Sequence, residues 1–306
     1  MSTFKYLFSP IKVGSMQVPN RVFMSPHGLG SGAPIGSDAH VGYFEVRARG
    51  GVGMLGIASC NVVPVPHLYP GMFYHLYDKE DLPAIGRICA AVHKHGAKVF
   101  VQGTWMTGAP GLPQPSSTAP QTLWGDNQSH SMTVGEIQHL IELHGVAAAN
   151  SLEAGADGIE FPMGGGAGLQ CISSPLYNKR TDEYGGSMER RLKAIFEIID
   201  VVRARCGPAF GLGLAVNADE SLLGGPDLNE GVQICKMLAD TGKIDWLRIT
   251  ARGQKPQATY LHYPPSYMSQ GTNLYASAAV REVVDNIPIV SGGHITSPEF
   301  AEQALA

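Results

Sequence analysis

The chain has 306 residues, of which 44% are hydrophobic and 16% charged, and its formal net charge is −4. This composition is typical of a globular protein with a large core, and the length fits one large domain or two ordinary ones. There is no basic run that would follow a nucleic-acid backbone and no apolar stretch long enough to cross a bilayer. We therefore expect neither nucleic acid nor a membrane as a partner.

The five cysteines lie far apart in the sequence and form no Cys-x-x-Cys pair. That spacing argues against a structural zinc site or an iron–sulfur cluster, so no metal site is predicted. The N-terminal segment MSTFKYLFSPIKVGSM lacks the apolar core of a signal peptide. An odd number of cysteines without a signal peptide indicates reduced thiols and a cytoplasmic location.

Short apolar runs alternate with longer amphipathic segments along the chain. A small hairpin is predicted at IKVGSMQVPN, where it would cover the bottom of a barrel. The predicted strands are residues 21–25, 54–59, 98–102, 158–161, 210–216, 246–250 and 288–291. The predicted helices are residues 40–49, 81–95, 133–154, 187–206, 228–240, 277–285 and a segment from 298 onward. Asp81 with Pro83, and Ser297 with Pro298, are typical of helix starts.

Strands that alternate with helices at this spacing are typical of a parallel sheet with right-handed crossovers. Seven such units without a Rossmann glycine fingerprint favour an α/β fold of the (β/α)8 TIM-barrel type, a single domain over residues 1–306. No eighth strand is predicted before Ala306, and a barrel with a gap would expose two strand edges. The preferred interpretation is a C-terminally incomplete domain from a longer protein, and the alternative is that something else covers the gap.

In such barrels the chemistry lies at the C-terminal ends of the strands. The residues predicted there are Pro26, His27, Ser59, Cys60, Gln102, Pro162, Val216, Asn217, Thr250, Ala251, Arg252, Gly292 and Gly293. This set contains few acids or bases. It suits the binding of a flat ligand with polar edges better than it suits hydrolysis.

The segment SPLYNKRTDEYGGSMERR, residues 174–191, resembles the loop after strand 4 in the flavin-dependent family of old yellow enzyme, dienoyl-CoA reductase and trimethylamine dehydrogenase. The stretches PNRVFMSPHGLGSG, DGIEF and IPIVSGG extend the resemblance over the whole chain. Within the loop, Arg180 and Asp182 are predicted to pair across the turn. Gly185 and Gly186 permit the reversal, and Ser187 can cap the next helix.

The resemblance implies an FMN that lies across the strand ends. The backbone of Pro26 and His27 would contact the ring, with Ser59 or Cys60 beside it. The same resemblance implies Gln102 at the pyrimidine edge and a phosphate held by backbone N–H groups of the pair Gly292–Gly293.

Several family positions carry a different residue in this chain. The His and the His or Asn that hold the substrate in ene-reductases are Pro162 and Gly165, and the nearby Tyr is Ala167. The strand-5 Arg that stabilises negative charge at flavin N1 aligns with Ala215, and the cysteine that binds flavin covalently aligns with Gly28. We predict that His27, Trp105 or Arg252 anchors the substrate instead, with Arg252 as a candidate replacement for the lost cation.

Other residues lie where they could contribute to the barrel interior. Aromatic and histidine side chains after strands 3 and 6 could line a pocket: Trp105, Trp124, Tyr260, His262 and Tyr263. Ordinary packing remains an equal alternative for each. Glu160 and Arg248 lie one and two residues, respectively, before the ends of two predicted even-numbered strands, so we predict a buried structural ion pair.

The predicted function is an FMN-dependent oxidoreductase that transfers a hydride between NAD(P)H, or a small organic substrate, and the flavin. The organic substrate would be an N-methylated amine or an unsaturated carbonyl. Two alternatives stay open: a degenerate, non-catalytic binding barrel, and the N-terminal barrel of a larger multidomain flavoprotein. A homo-oligomer or further C-terminal domains are the expected protein partners.

Overall fold

The computed structural model describes residues 4–29, 34–64, 73–105, 131–165, 167–251 and 266–306. The chain forms the predicted hairpin from β1 (Ile11–Val13) and β2 (Met16–Val18), which pair antiparallel. Side chains of the hairpin pack with three residues of the sheet in one buried cluster: Val13, Met16, Val18, Met54, Phe100 and Trp246. Because Met54 and Trp246 begin their strands, the hairpin covers the bottom of the barrel, as predicted.

Seven parallel strands form the barrel wall, and we call them the wall strands: β3 (Phe23–His27), β4 (Met54–Asn61), β6 (Lys98–Thr104), β7 (Gly158–Met163), β8 (Gly211–Asn217), β9 (Trp246–Thr250) and β10 (Ile289–Ser291). Each wall strand pairs with the one before it in the chain. All seven were predicted from the sequence. A two-residue strand that was not predicted, β5 (Tyr74–His75), pairs with the C-terminal end of β4.

Helices follow the wall strands and form the outer layer: α1 (Asp38–Arg49), α2 (Leu82–His93), α3 (Val134–Glu153), α4 (Gly168–Ser173), α5 (Met188–Cys206), α6 (Leu228–Asp240), α7 (Leu274–Arg281) and α8 (Pro298–Leu305). The sequence did not predict α4, and it placed α7 three residues late. None of these described helices combines the length and the apolar character needed to cross a membrane.

The main core lies between the sheet and the helices. On β8, Leu212, Leu214 and Val216 point outward and join the cluster that contains Ile195 and Ile198 of α5. The residues between them therefore face the barrel interior, because successive side chains of a strand point to opposite sides. This alternation decides which residues can reach a site inside the barrel.

Within the described part of the chain, β3 and β10 are the two ends of the sheet and do not pair with each other. A groove of about 1540 Å³ lies between them, and its lining includes Phe23, Val290 and Ile11. The two sides of this gap are still connected. The Glu302 carboxylate of α8 accepts hydrogen bonds from the backbone N–H groups of Tyr6 and Leu7, each at 2.7 Å.

Candidate active site

The inward face of β8 carries almost no side-chain volume. Gly213 and Ala215 lie in register with Trp246 and Arg248 of β9. A Cβ atom at Gly213 would lie 1.9 Å from Cε2 of Trp246, so only glycine leaves room for the indole there. The small residues of β8 therefore let two large side chains of β9 extend across the interior.

Those two side chains meet the carboxylate of Glu160, which is fully buried on β7. Glu160 accepts hydrogen bonds from Arg248 Nη2 at 2.7 Å and from Arg248 Nε at 3.1 Å, and this confirms the predicted pair. Trp246 Nε1 donates to the same carboxylate at 3.2 Å, and Gln102 Nε2 donates at 2.9 Å. We call Gln102, Glu160, Trp246 and Arg248 the interior network.

The interior network fixes the orientation of Gln102. Since its amide nitrogen donates to Glu160, its carbonyl oxygen Oε1 is the atom left to accept a hydrogen bond from a ligand. Gln102 lies two residues before the end of β6, near the C-terminal ends of the wall strands, which we call the mouth. Gln102, the residue predicted at the ring edge, therefore lies where its Oε1 atom can accept a hydrogen bond from a ligand at the mouth.

Pro26 and His27 end β3 at the mouth, as predicted. His27 Nδ1 lies 3.0 Å from the carbonyl oxygen of Ser25, and Nε2 lies 2.5 Å from the hydroxyl of Tyr43. Because a carbonyl only accepts, Nδ1 carries the proton of the neutral ring, and Tyr43 donates to Nε2. The Arg47 guanidinium lies 3.3 Å from the centre of the Tyr43 ring. Sequence reasoning missed Tyr43, which reaches His27 only because α1 packs beside β3.

A β-bulge separates the two residues of the predicted Ser59–Cys60 contact. The pairing of β4 with β6 shifts register between Ile57 and Cys60. The shift turns the Cys60 side chain outward, where it is fully buried in the core between the sheet and the helices. Burial raises the pKa of this thiol well above its ordinary value. The thiol therefore does not face the mouth, and the predicted contact of Ser59 stays a prediction.

Beyond the bulge, Asn61 turns inward. It pairs in register with Thr104 of β6 and is 1% exposed. Neither its amide nitrogen nor its amide oxygen has a hydrogen-bond partner among the described residues. A buried amide without a partner is costly, so this side chain fits a site that a polar ligand completes. Asn61 was not among the residues predicted from the sequence.

The predicted phosphate-binding pair Gly292–Gly293 follows β10 at the mouth. A Cβ at Gly292 would meet nothing within 4 Å, whereas Gly293 has a φ of 102° and would place a Cβ 2.8 Å from Asn273 Nδ2. Beside it, Thr272 Oγ1 and Asn273 Oδ1 are buried without a partner among the described residues. The open backbone and the Thr272 hydroxyl can donate to a phosphate, whereas Asn273 Oδ1 can only accept a hydrogen bond from another polar group.

Trp105 follows β6 and is 4% exposed. A Cβ at Gly168 of α4 would lie 2.0 Å from its ring, so the indole is packed beneath that helix. These surroundings are those of a core residue, and the predicted anchoring role of Trp105 has no support from them. Arg252 and the pocket candidates Trp124, Tyr260, His262 and Tyr263 lie outside the described residues.

The loop of residues 174–191 is held as predicted. Arg180 and Asp182 form an ion pair, with Arg180 Nε 3.0 Å from Asp182 Oδ1, and this bond lowers the pKa of Asp182. Gly186 has a φ of 92°, a conformation that favours glycine. Ser187 occupies the N-cap of α5, but its side chain makes no capping hydrogen bond to the helix.

A buried carboxyl group in the segment after β8 supports the same loop. Glu220 is 1% exposed and accepts hydrogen bonds from Gln170 Nε2 at 2.8 Å and from Ser174 Oγ at 3.0 Å. Burial raises its pKa to about 7. No sequence pattern indicates this contact, because Glu220 reaches α4 only through the arrangement of the mouth loops.

Comparisons with known proteins agree with this geometry. A model of the NADH:flavin oxidoreductase / NADH oxidase family matches residues 6–306. The NADH oxidase of Thermoanaerobacter brockii is 33% identical and is matched over 100% of this chain and 48% of its own length. A metal reductase of Desulforamulus reducens is 30% identical, over 98% of this chain and 45% of its own. The chain therefore spans about half the length of these curated relatives.

The fold has close counterparts among solved structures. Histamine dehydrogenase from Rhizobium sp. 4-9 superposes with a TM-score of 0.88 at 24% identity, over 99% of this chain and 44% of that chain. The parallel sheet and the likeness to solved structures of old yellow enzyme type confirm the predicted TIM-barrel fold. The acceptor of Gln102, the unpaired amide of Asn61 and the open backbone at Gly292 all fit FMN, the predicted cofactor. This chain belongs to the NADH:flavin oxidoreductase / NADH oxidase family of FMN-dependent oxidoreductases.

Proposed function

We propose that this chain is the FMN-binding barrel of an oxidoreductase that passes a hydride between NAD(P)H, or a small organic substrate, and the flavin. The observation that supports it most is the interior network below the mouth, together with the buried, unpaired Asn61 amide. When bound, FMN would supply the redox chemistry. The residues of the chain bind it, orient it and exclude water.

Separate parts of the mouth would hold separate parts of the cofactor. Gln102 Oε1 would accept a hydrogen bond at the edge of the ring, and the backbone of Pro26 would lie beside it. The N–H groups of Gly292 and Gly293 would hold the phosphate. NADH is the proposed reductant because the T. brockii relative is an NADH oxidase. The organic substrate would be an N-methylated amine or an unsaturated carbonyl.

The domain organisation, assembly and location of the protein are also proposals. We infer a single barrel domain that works with further C-terminal segments or as a homo-oligomer, since the relatives are about twice as long. A cytoplasmic location is supported by the five cysteines, all of which carry free thiols.

The test is the near-ultraviolet and visible spectrum of the purified chain during titration with FMN, followed by anaerobic addition of NADH. We expect the flavin band to shift on binding and to bleach with NADH. Gln102→Leu should weaken FMN binding, and Gln138→Leu, on the exposed face of α3, serves as the matched control. A folded chain that leaves the flavin spectrum unchanged would overturn the proposal and favour a barrel without redox activity.

A further inference from the structure

The wall strands contain two long cationic side chains, and only one of them lies near the mouth. Lys98 begins β6 at the bottom of the barrel and pairs with Asp157 at 2.9 Å. Arg248 lies in the middle of β9, in register with Ala215 of β8 and Val290 of β10. Its side chain points inward, since its neighbours Leu247 and Ile249 belong to the outer core.

The guanidinium of Arg248 is only partly used by the ion pair. Nε and Nη2 donate to Glu160, while Nη1 has no hydrogen-bond partner among the described residues. The Arg248 side chain is 14% exposed, and the Glu160 side chain is 0% exposed. Glu160 is in register with Gly213 of β8, whereas Arg248 is in register with Ala215, so Arg248 lies one inward-facing layer nearer the mouth. Glu160 therefore lies behind the cation as seen from a ligand at the mouth.

We propose that Arg248 is the cation that stabilises the negative charge gained by the flavin on reduction, and that Glu160 is the positioning residue that holds it. The proposal rests on the function proposed above. Ala215, in register with Arg248 on the adjacent strand, has only a methyl side chain, so β8 places no large group beside Arg248 at this level. Arg252 was the sequence-based candidate for this role, but Arg248 has the burial and the fixed geometry that the role needs.

If Arg248 acts through its charge, changes to the pair should shift the reduction potential of the flavin, which a role in packing alone would not do. A cation near the ring favours the reduced flavin, which carries more negative charge, and so raises the reduction potential. An anion near the ring has the opposite effect. Removal of the Glu160 charge should therefore raise the reduction potential, and removal of the Arg248 charge should lower it. Since both changes break the same ion pair, opposite shifts would show an effect of charge and not of the broken pair.

The experiment measures the reduction potential of FMN bound to the chain, by spectroscopic titration against a redox dye, and the dissociation constants of oxidised and reduced FMN. Glu160→Gln should raise the ratio of affinities for reduced over oxidised FMN by about tenfold, or about 30 mV for a two-electron couple. Arg248→Gln in the Glu160→Gln background should reverse that gain. The double variant leaves no buried charge without a partner, so its folding is not put at risk by an isolated carboxylate.

A second buried pair provides the matched control. Arg203 and Asp245 pair at 2.7 Å, each with 14% of its side chain exposed, at the opposite end of the strands. The variant Arg203→Gln with Asp245→Asn should leave the flavin potential unchanged. If Glu160→Gln and the double variant move the potential in the same direction, or not at all, the role of Arg248 is wrong. A wild-type chain that takes up no FMN overturns the proposed function instead, so the two failures are distinguishable.

Discussion

Gly213 shows how one missing side chain shapes the interior of the barrel. The position that its Cβ would occupy is filled by the Trp246 indole, which donates to Glu160. Without that indole, the floor of the interior network would lose both a donor and its packing. Glycine at position 213 of β8 is therefore needed for the Trp246 indole of β9 to fit inside the barrel.

Gly213→Ala should destabilise the chain by about 1–3 kcal/mol, the usual cost of forcing extra volume into a packed core. Chemical denaturation of the two proteins would measure the difference. Gly42→Ala is the control, because a Cβ at Gly42 of α1 meets nothing within 4 Å. It should stabilise by about 0.5–1 kcal/mol, since alanine favours the helix more than glycine does. Equal effects of the two substitutions would contradict the packing explanation.

Individual site residues were predictable to different degrees. The Glu160–Arg248 pair could be predicted because strand alternation and barrel layering follow directly from the sequence pattern. Asn61 could not, because the bulge after Ile57 reverses the alternation that would otherwise decide where it points. Tyr43 contacts His27 across a helix–strand packing that no local pattern encodes.

At the scale of elements, two helix starts that both carry a hydroxyl residue at the N-cap differ in their capping, and the third helical residue is Glu136 in α3 but Arg190 in α5. Thr133 caps α3 with a full capping box: its hydroxyl accepts from Glu136 N at 3.2 Å, and Glu136 Oε2 accepts from Thr133 N at 2.7 Å. Ser187 stands at the same position of α5 but makes no such bond to the helix. The amino-acid type alone therefore does not show whether a cap forms.

Thr133→Ala should cost about 1 kcal/mol of stability, the typical loss for a helix N-cap. Ser187→Ala should cost clearly less, since no backbone N–H loses its partner there. Thermal unfolding of both variants beside the wild type would measure the two effects. A larger loss for Ser187→Ala than for Thr133→Ala would contradict the absence of a side-chain cap at α5.

Elements with a strong periodic pattern were predicted well, and weakly patterned ones were not. All seven wall strands were predicted because each carries a run of apolar residues bounded by turn residues. The two residues of β5 and the six of α4 are too short to show a period, and they form only because β4 and Trp105 provide surfaces for them. The start of α7 was predicted late although Asn273 is a favoured N-cap residue, and in the structure its side chain makes no cap bond.

At the scale of the whole molecule, Glu220 couples stability to pH. Its pKa rises from 4.5 to about 7 on folding, because burial penalises the charged form. Between these values the folded state holds a proton that the unfolded state has released. Rising pH therefore lowers the free energy of unfolding across this window, and the loss is complete above about pH 7.

Glu220→Gln should remove this dependence while it keeps a polar group beside Gln170 and Ser174. Between about pH 5 and about pH 8, wild type should lose up to about 3 kcal/mol relative to the variant. His144, whose pKa burial lowers to about 4, acts in the opposite direction in both proteins, so it cancels from the comparison. Parallel pH profiles of the two proteins would show that Glu220 stays charged in the fold.

The contact of Glu302 with Tyr6 and Leu7 has a consequence for the order of folding. Each wall strand after β3 pairs with the wall strand that precedes it in the chain, so the sheet can grow one unit at a time as the chain leaves the ribosome. The Glu302 bonds join residues 296 and 295 positions apart, and they can form only after α8 has been synthesised. Until then the N-terminal segment lacks this anchor, and the hairpin is held at the bottom of the growing wall by its apolar side chains and by the hydrogen bond from Ser15 Oγ to the carbonyl oxygen of Ala209.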